Sequence, residues 1–118
     1  MVPAVDDNVR PWGRYDVLAE NQGFKVKSIT VAAGKRLSYQ RHARRSEHWF
    51  IVQGCGLVTL DDRTVAVERG NPVEVPVGVC HRIENTGSEE LIFIEVQHGD
   101  YFGEDDIERL DDDYGRVS

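Results

Sequence analysis

Apolar and polar residues interchange along most of this chain with a period near two, and turn-forming residues interrupt the pattern at short intervals. The run Phe24-Lys25-Val26-Lys27-Ser28-Ile29-Thr30-Val31 is rich in β-branched residues and partly alternates, which predicts a strand. Similar runs predict strands over Arg36–His42, Glu47–Gln53, Gly56–Leu60, Thr64–Glu68, Pro72–Val75, His81–Asn85 and Leu91–Gln97. Turn chemistry separates them, including Gly34, Gly54, Gly70, Pro76-Val77-Gly78 and Asn85-Thr86-Gly87. Many short, evenly spaced strands predict an all-β sandwich, barrel or jelly roll. One helix is expected, over Glu104–Leu110, where acids fill the first turn and Arg109 falls near the end.

Composition narrows this picture. The chain has 118 residues and is 40% hydrophobic, enough for one domain with a packed core. Its net charge is −7, and most of that sits at the end: Asp100–Ser118 carries eight acidic and two basic residues. The tail therefore reads as a solvated acidic end beside a nearly neutral body. Overall acidity argues against nucleic acid and anionic membranes as partners. No apolar run approaches the ~20 residues that span a bilayer, and no basic-then-apolar leader opens the chain. The two cysteines, Cys55 and Cys80, read as small buried apolar residues rather than a disulfide framework. A cytoplasmic protein is the expectation.

The segment Ser38-Tyr39-Gln40-Arg41-His42-Ala43-Arg44-Arg45-Ser46-Glu47-His48-Trp49-Phe50 concentrates the chemistry. On a strand over 36–42, alternation places Arg36, Ser38, Gln40 and His42 on one face. An antiparallel hairpin would then return Glu47 beside His42. His81 follows the Pro76-Val77-Gly78 turn, which holds it at a defined point. An amide oxygen, two imidazoles and a carboxylate suit a divalent ion, zinc first, with manganese, iron, cobalt or nickel as alternatives.

Two motifs in this region resemble those of the cupin superfamily. In the first, Gly34, five residues, Gln40-Arg41-His42, four residues, Glu47, six residues and Gly54 match in spacing, with Gln40 where most cupins carry histidine. In the second, Gly70, five residues, Pro76-x-Gly78, two residues, His81, three residues and Asn85 match throughout. The resemblance implies a double-stranded β-helix, a jelly-roll barrel over about residues 23–98 of a single 1–118 domain, with an N-terminal extension over 1–22 and a tail over 99–118. A narrower likeness runs through Arg10-Pro11-Trp12-Gly13, Arg36-Leu37-Ser38, Arg45-Ser46-Glu47-His48-Trp49, His81-Arg82-x-Glu84-Asn85, Glu95-Val96-Gln97 and Gly103-Glu104-Asp105-Asp106-Ile107. These segments look like the type II mannose-6-phosphate isomerase domain, usually the C-terminal half of a bifunctional enzyme with a mannose-1-phosphate guanylyltransferase. That family carries Gln at the Gln40 position, and the likeness implies Gln40, His42, Glu47 and His81 as metal ligands. No glycine-rich nucleotide loop precedes the motifs, so nucleotide transfer is not expected.

The implied reaction interconverts mannose-6-phosphate and fructose-6-phosphate through an enediol. It needs a base over C1–C2, a Lewis acid, and cations for the phosphate and the enediolate. Arg45, Glu95 and His48 are the catalytic candidates. Glu95 is the favoured base, with His48 or a metal-bound hydroxide as rivals. Arg36, Lys27, Gln97 and Arg82 are the substrate-binding candidates, and Arg36 is expected to point into the barrel. Arg82 and Glu84 are equally readable as a pair, and Trp49 as core. A small phosphorylated sugar is the expected partner. The alternatives are a non-catalytic sugar-binding cupin and a metal-dependent dioxygenase, the latter disfavoured by Gln40. A homodimer is expected, with residues 10–20 able to supply an exchanged strand that covers an open sheet edge.

Overall fold

A computed structural model describes residues 8–115. It contains eleven strands: β1 (Val9–Arg10), β2 (Gly13–Glu20), β3 (Phe24–Val31), β4 (Tyr39–Arg41), β5 (Arg45–Gln53), β6 (Cys55–Leu60), β7 (Arg63–Glu68), β8 (Pro72–Val75), β9 (His81–Asn85), β10 (Leu91–Gly99) and β11 (Glu108–Asp111). They form two sheets, ordered β1-β2-β3-β10-β5-β8 and β11-β4-β9-β6-β7. Every pairing is antiparallel.

The period-two pattern decides which side of each strand meets the other sheet. On β3 the inward residues are Lys27, Ile29 and Val31; on β5 they are Arg45, Glu47, Trp49 and Ile51. On β10 they are Leu91, Phe93, Glu95 and Gln97, so the mixed face, not the wholly apolar Ile92-Ile94-Val96 face, turns inward. Each of these strands is apolar at one end of the barrel and charged at the other. Ile51, Val58, Ile83, Leu91 and Phe93 close the apolar end with almost no exposure. The opposite end holds the buried polar side chains of Lys27, His42, Arg45, Glu47, His81, Glu95 and Gln97.

Three expectations change. The helix over 104–110 is absent; residues 104–106 turn and β11 adds an edge strand to β4, with Glu108 opposite Arg41 and Arg109 opposite Gln40. A seven-residue helix gains too few hydrogen bonds to repay its nucleation, whereas the open edge of β4 satisfies the backbone at once. The tail is therefore not a solvated appendage. Its acids meet arginines of both motifs: Glu108 on Arg41 at 2.7 Å, Asp111 on Arg82 at 3.1 Å and Asp113 on Arg36 at 2.7 Å. Within the chain, β2 pairs with β3. Cys55 is exposed and Cys80 half-buried, both free thiols, so the expectation of two buried cysteines does not hold. No helix among the described residues is long and apolar enough to cross a membrane.

Phe93 is fully buried and its ring lies 4.9 Å from that of Trp49. Phe93→Ala is expected to cost about 3–5 kcal/mol of unfolding free energy. Phe50→Ala, on the outward face of the neighbouring strand, should stay within about 0.5 kcal/mol. Urea midpoints of the two variants check this contrast.

Candidate metal and sugar-phosphate site

The polar end is built by residues from both sheets. Glu47 and Arg45 come from β5, Glu95 and Gln97 from β10, and Lys27 from β3; Gln40 on β4 and His81 on β9 face them from the other sheet. Gln40 and His81 are direct cross-strand partners. His42 lies just beyond β4, where the chain crosses between sheets. The expected hairpin joining His42 to Glu47 is thus replaced by a crossover, because β4 and β5 belong to different sheets. The Asp106 carboxylate fixes that crossover by accepting hydrogen bonds from the Ala43 and Arg44 amides at 3.1 and 2.9 Å. Gly78, at φ 81°, sits in the turn before His81, and its amide donates to the His42 carbonyl at 2.9 Å. That left-handed conformation favours glycine.

Both imidazoles are oriented by backbone carbonyls. His42 Nδ1 lies 2.7 Å from the Asp106 carbonyl and His81 Nδ1 lies 3.0 Å from that of Val79. A carbonyl only accepts, so each Nδ1 carries the hydrogen and each Nε2 presents a lone pair. His42 Nε2 is 3.3 Å from Glu47 Oε2, and His81 Nε2 is 4.0 Å from Oε1. The carboxylate is otherwise held by Trp49 Nε1 on Oε1 and by Arg45 Nε on Oε2, each at 2.9 Å. Burial pushes the Glu47 pKa up, but His81, Arg45 and His42 outweigh it and leave it well below the usual carboxylate range. Burial pushes His42 down to about 4, with Glu47 opposing and Arg45 adding to the shift.

Glu95 behaves in the opposite sense. It stands between Lys27 and Trp49 in the sheet register and accepts a hydrogen bond from Gln97 Nε2. Burial first, then the nearby Glu47 charge, raise its pKa to about 8 against the pull of Lys27 and Arg45. Glu95 therefore holds a proton at neutral pH and shares it with Glu47. Two adjacent carboxyls with opposed environments are the arrangement that separates an acid from a charged ligand.

The donor set fits a divalent ion. One ligand atom from each of His42, Glu47 and His81 lies within 4.8 Å of the others, and the imidazoles' second nitrogens are already tied back. Gln40 spends its amide nitrogen on Ser38 Oγ at 2.9 Å, which leaves its oxygen as the end available to a cation. The cation these atoms hold here is the Arg45 guanidinium, whose Nη2 lies 3.1 Å from His42 Nε2 and 2.9 Å from Glu47 Oε2. Two small cavities flank this cluster, one of about 30 Å³ against Glu47 and His81 and one of about 60 Å³ against Lys27 and Glu104. Gln40, Arg45 and Glu95 wall both.

Other expected site residues lie elsewhere. His48 is exposed on the outward face of β5, stacked at 5.3 Å on His98, because alternation turns it away from Glu47. Arg36 does not point into the barrel: it makes only an isolated bridge to Glu84, outside any regular strand, and its guanidinium grips Asp113 through two bonds of 2.7 and 2.8 Å. Arg82 donates to the Leu37 carbonyl at 2.8 Å and pairs with Asp111 rather than Glu84. Sequence reasoning overlooked Glu104 and Asp106, which reach the site from the tail. Their signal was the acidic tail itself, beside a cluster of arginines short of counter-charges.

Comparison with known proteins agrees with this geometry. Residues 4–112 match the family described as Mannose-6-phosphate isomerase C-terminal. The chain is 49% identical over 109 residues to the alginate biosynthesis protein AlgA of Pseudomonas aeruginosa, covering 92% of this chain and 23% of that protein. It is 48% identical to the xanthan biosynthesis protein XanB of Xanthomonas campestris, with 92% and 23% coverage. It is 42% identical to the mannose-1-phosphate guanylyltransferase ManC of Salmonella typhimurium, with 92% and 22% coverage. The chain thus spans less than a quarter of the length of these relatives. In fold it is similar to a double-stranded β-helix protein from Klebsiella pneumoniae, with a TM-score of 0.72 at 21% identity over 86% of this chain and 92% of that one. It is also similar to a cupin 2 conserved barrel protein from Salinispora arenicola, with a TM-score of 0.67 at 22% identity over 83% and 87%. With this match along nearly its whole length, the chain belongs to the family described as Mannose-6-phosphate isomerase C-terminal, on a cupin-like fold.

Proposed function

We propose that this chain is a metal-dependent isomerase that interconverts mannose-6-phosphate and fructose-6-phosphate. The observation that carries the reading is the buried Glu95 carboxyl beside the His42–Glu47–His81 cluster, paired in register with Lys27. Aldose–ketose exchange moves one proton between C1 and C2 and a second between the two oxygens. A group that titrates near working pH both takes and returns a proton. As a carboxylate, Glu95 would remove the C2 proton, leaving its electron pair in the C1–C2 bond of an enediol; as the acid, it would return that proton to C1. Lys27 and Arg45 would hold the substrate phosphate. Gln97 holds the Glu95 carboxyl in place through its amide. A divalent ion held by Gln40, His42, Glu47 and His81 would supply Lewis-acid polarisation of the carbonyl when bound. The homodimer and the cytoplasmic setting belong to the same proposal.

A coupled assay with mannose-6-phosphate tests this reading. Metal-replete protein is expected to turn over, chelation to abolish turnover, and Glu95→Gln to lower kcat by about 100-fold or more. No turnover by metal-replete protein, with Gln40→Ala and His42→Ala binding sugar phosphates as the parent does, would leave a sugar-binding cupin instead. Arg45→Ala should weaken phosphorylated sugars far more than free sugars, and equal losses would count against it as a phosphate contact.

The Glu95 pKa also fixes a pH dependence. Its folded value is raised to about 8, so between about pH 4.5 and pH 8 the folded state binds the proton that the unfolded state has released. The stability of chelator-treated protein should therefore carry a component present below pH 4.5 and lost as pH rises through 8. Glu95→Gln should lack that decline in a series of urea midpoints. His42 acts in the other direction, since its folded value of about 4 removes stability as pH falls below about 6.5.

A further inference from the structure

The larger cavity beside the site is more cationic than the reaction centre needs. Arg10, Lys27, Arg45 and Arg109 all line it, while its acids are Glu95 and Glu104. Of these cations, Lys27 and Arg45 are the two that Glu104 faces directly. Lys27 is almost wholly buried, yet its Nζ meets only Glu104 Oε2 at 3.3 Å and the face of the Tyr15 ring at 4.4 Å among the described residues. Arg45 Nη1 is buried and, among the described residues, has no hydrogen-bond acceptor; Glu104 Oε2 lies 3.6 Å away, beyond hydrogen-bond range. One carboxylate oxygen thus spans two buried cations and satisfies neither fully. Its own side chain is about half exposed and comes from the turn at the barrel mouth.

We propose that Lys27 and Arg45, with Arg10 and Arg109 at the rim, form a subsite for a phosphomonoester dianion, and that the Glu104 carboxylate is an internal anion which that phosphate displaces. This deepens the sugar-phosphate reading above and rests on it. A phosphate brings a second negative charge and three acceptor oxygens, enough to reach Lys27 Nζ and Arg45 Nη1 together. The cavity of about 60 Å³ already exceeds the space one water needs. It abuts the metal cluster through the shared walls of Gln40, Arg45 and Glu95, so a phosphate there leaves the rest of a sugar directed at Glu95 and Glu47. The turn itself need not open. Asp106 ties it to the Ala43 and Arg44 amides and to His42, so only the Glu104 side chain has to rotate outward. Glu104 then acts as a selectivity device: it neutralises two buried cations until a ligand of higher charge arrives, and a free sugar cannot displace it.

Titration calorimetry with inorganic phosphate and with mannitol 6-phosphate, which cannot isomerise, tests the subsite apart from turnover. It should be run on the full chain with and without added zinc. A tethered carboxylate competes as though present at millimolar concentration, so Glu104→Gln is expected to bind both probes about tenfold more tightly. Lys27→Met should bind them at least tenfold more weakly, and Arg10→Gln carries the same test if that variant fails to fold. Asp100→Asn, which removes a surface acid paired with Arg44, should leave both affinities unchanged. Tightening confined to Glu104→Gln supports the proposal. No tightening in Glu104→Gln, or equal tightening in Asp100→Asn, overturns it. The two readings fail separately: loss of turnover with this binding pattern intact removes only the isomerase, and turnover with a Glu104→Gln affinity equal to the parent removes only the displaced anion.

Discussion

A carboxylate that water cannot reach must be neutralised by the chain around it, and Glu47 is 1% exposed. An isolated buried charge of this kind is among the costliest features a fold can carry. Two donors offset it, Arg45 from its own strand and Trp49 two residues on, while His81 from the opposite sheet and His42 from the crossover turn their Nε2 atoms toward it. Each partner is fixed in turn, the histidines by carbonyls and the crossover by Asp106. Removing one contact would leave a charge uncompensated, so the whole polar end stands or falls together.

The barrel is divided along its length. Ile51, Ile83 and Phe93 supply apolar burial that stabilises the fold, and they come from the same strands that carry Glu47, His81 and Glu95. The stable end therefore sets the positions of the reactive end without any flexible loop between them. This explains how Glu95 can sit next to Glu47 with an opposed protonation preference. Rigid strands hold the two carboxyls close, and burial plus like charge forces one of them to keep its proton.

The tail changes how the basic cluster is understood. Arg36, Arg41 and Arg82 are used to fasten β11 and the residues after it, through Asp113, Glu108 and Asp111. The cations left for an anionic ligand are those walled into the cavity, Lys27 and Arg45 foremost. The acidic excess of the last nineteen residues is thus a complement to both motifs, and it delivers Glu104 and Asp106 to the site.

Periodicity within each strand was legible in the sequence. It placed Glu47, Trp49 and Arg45 on one face and located His81 just after a turn that needs Gly78, although His48, on the opposite face, was still a catalytic candidate. Motif spacing likewise pointed to the barrel and to the group of His42, Glu47 and His81. Alternation is a local property, set by the two-residue repeat of the backbone, and local properties survive in the chain as written. Pairing partners are not local. That β4 lies across the barrel from β5, that residues 104–111 make a turn and a strand instead of a helix, and that Arg36 leaves the site for Asp113 all depend on which edges and counter-charges the folded chain brings together. The sequence by itself determined which residue types share a strand face. Only the tertiary structure decided which of them meet, because burial and charge compensation are settled between segments dozens of residues apart.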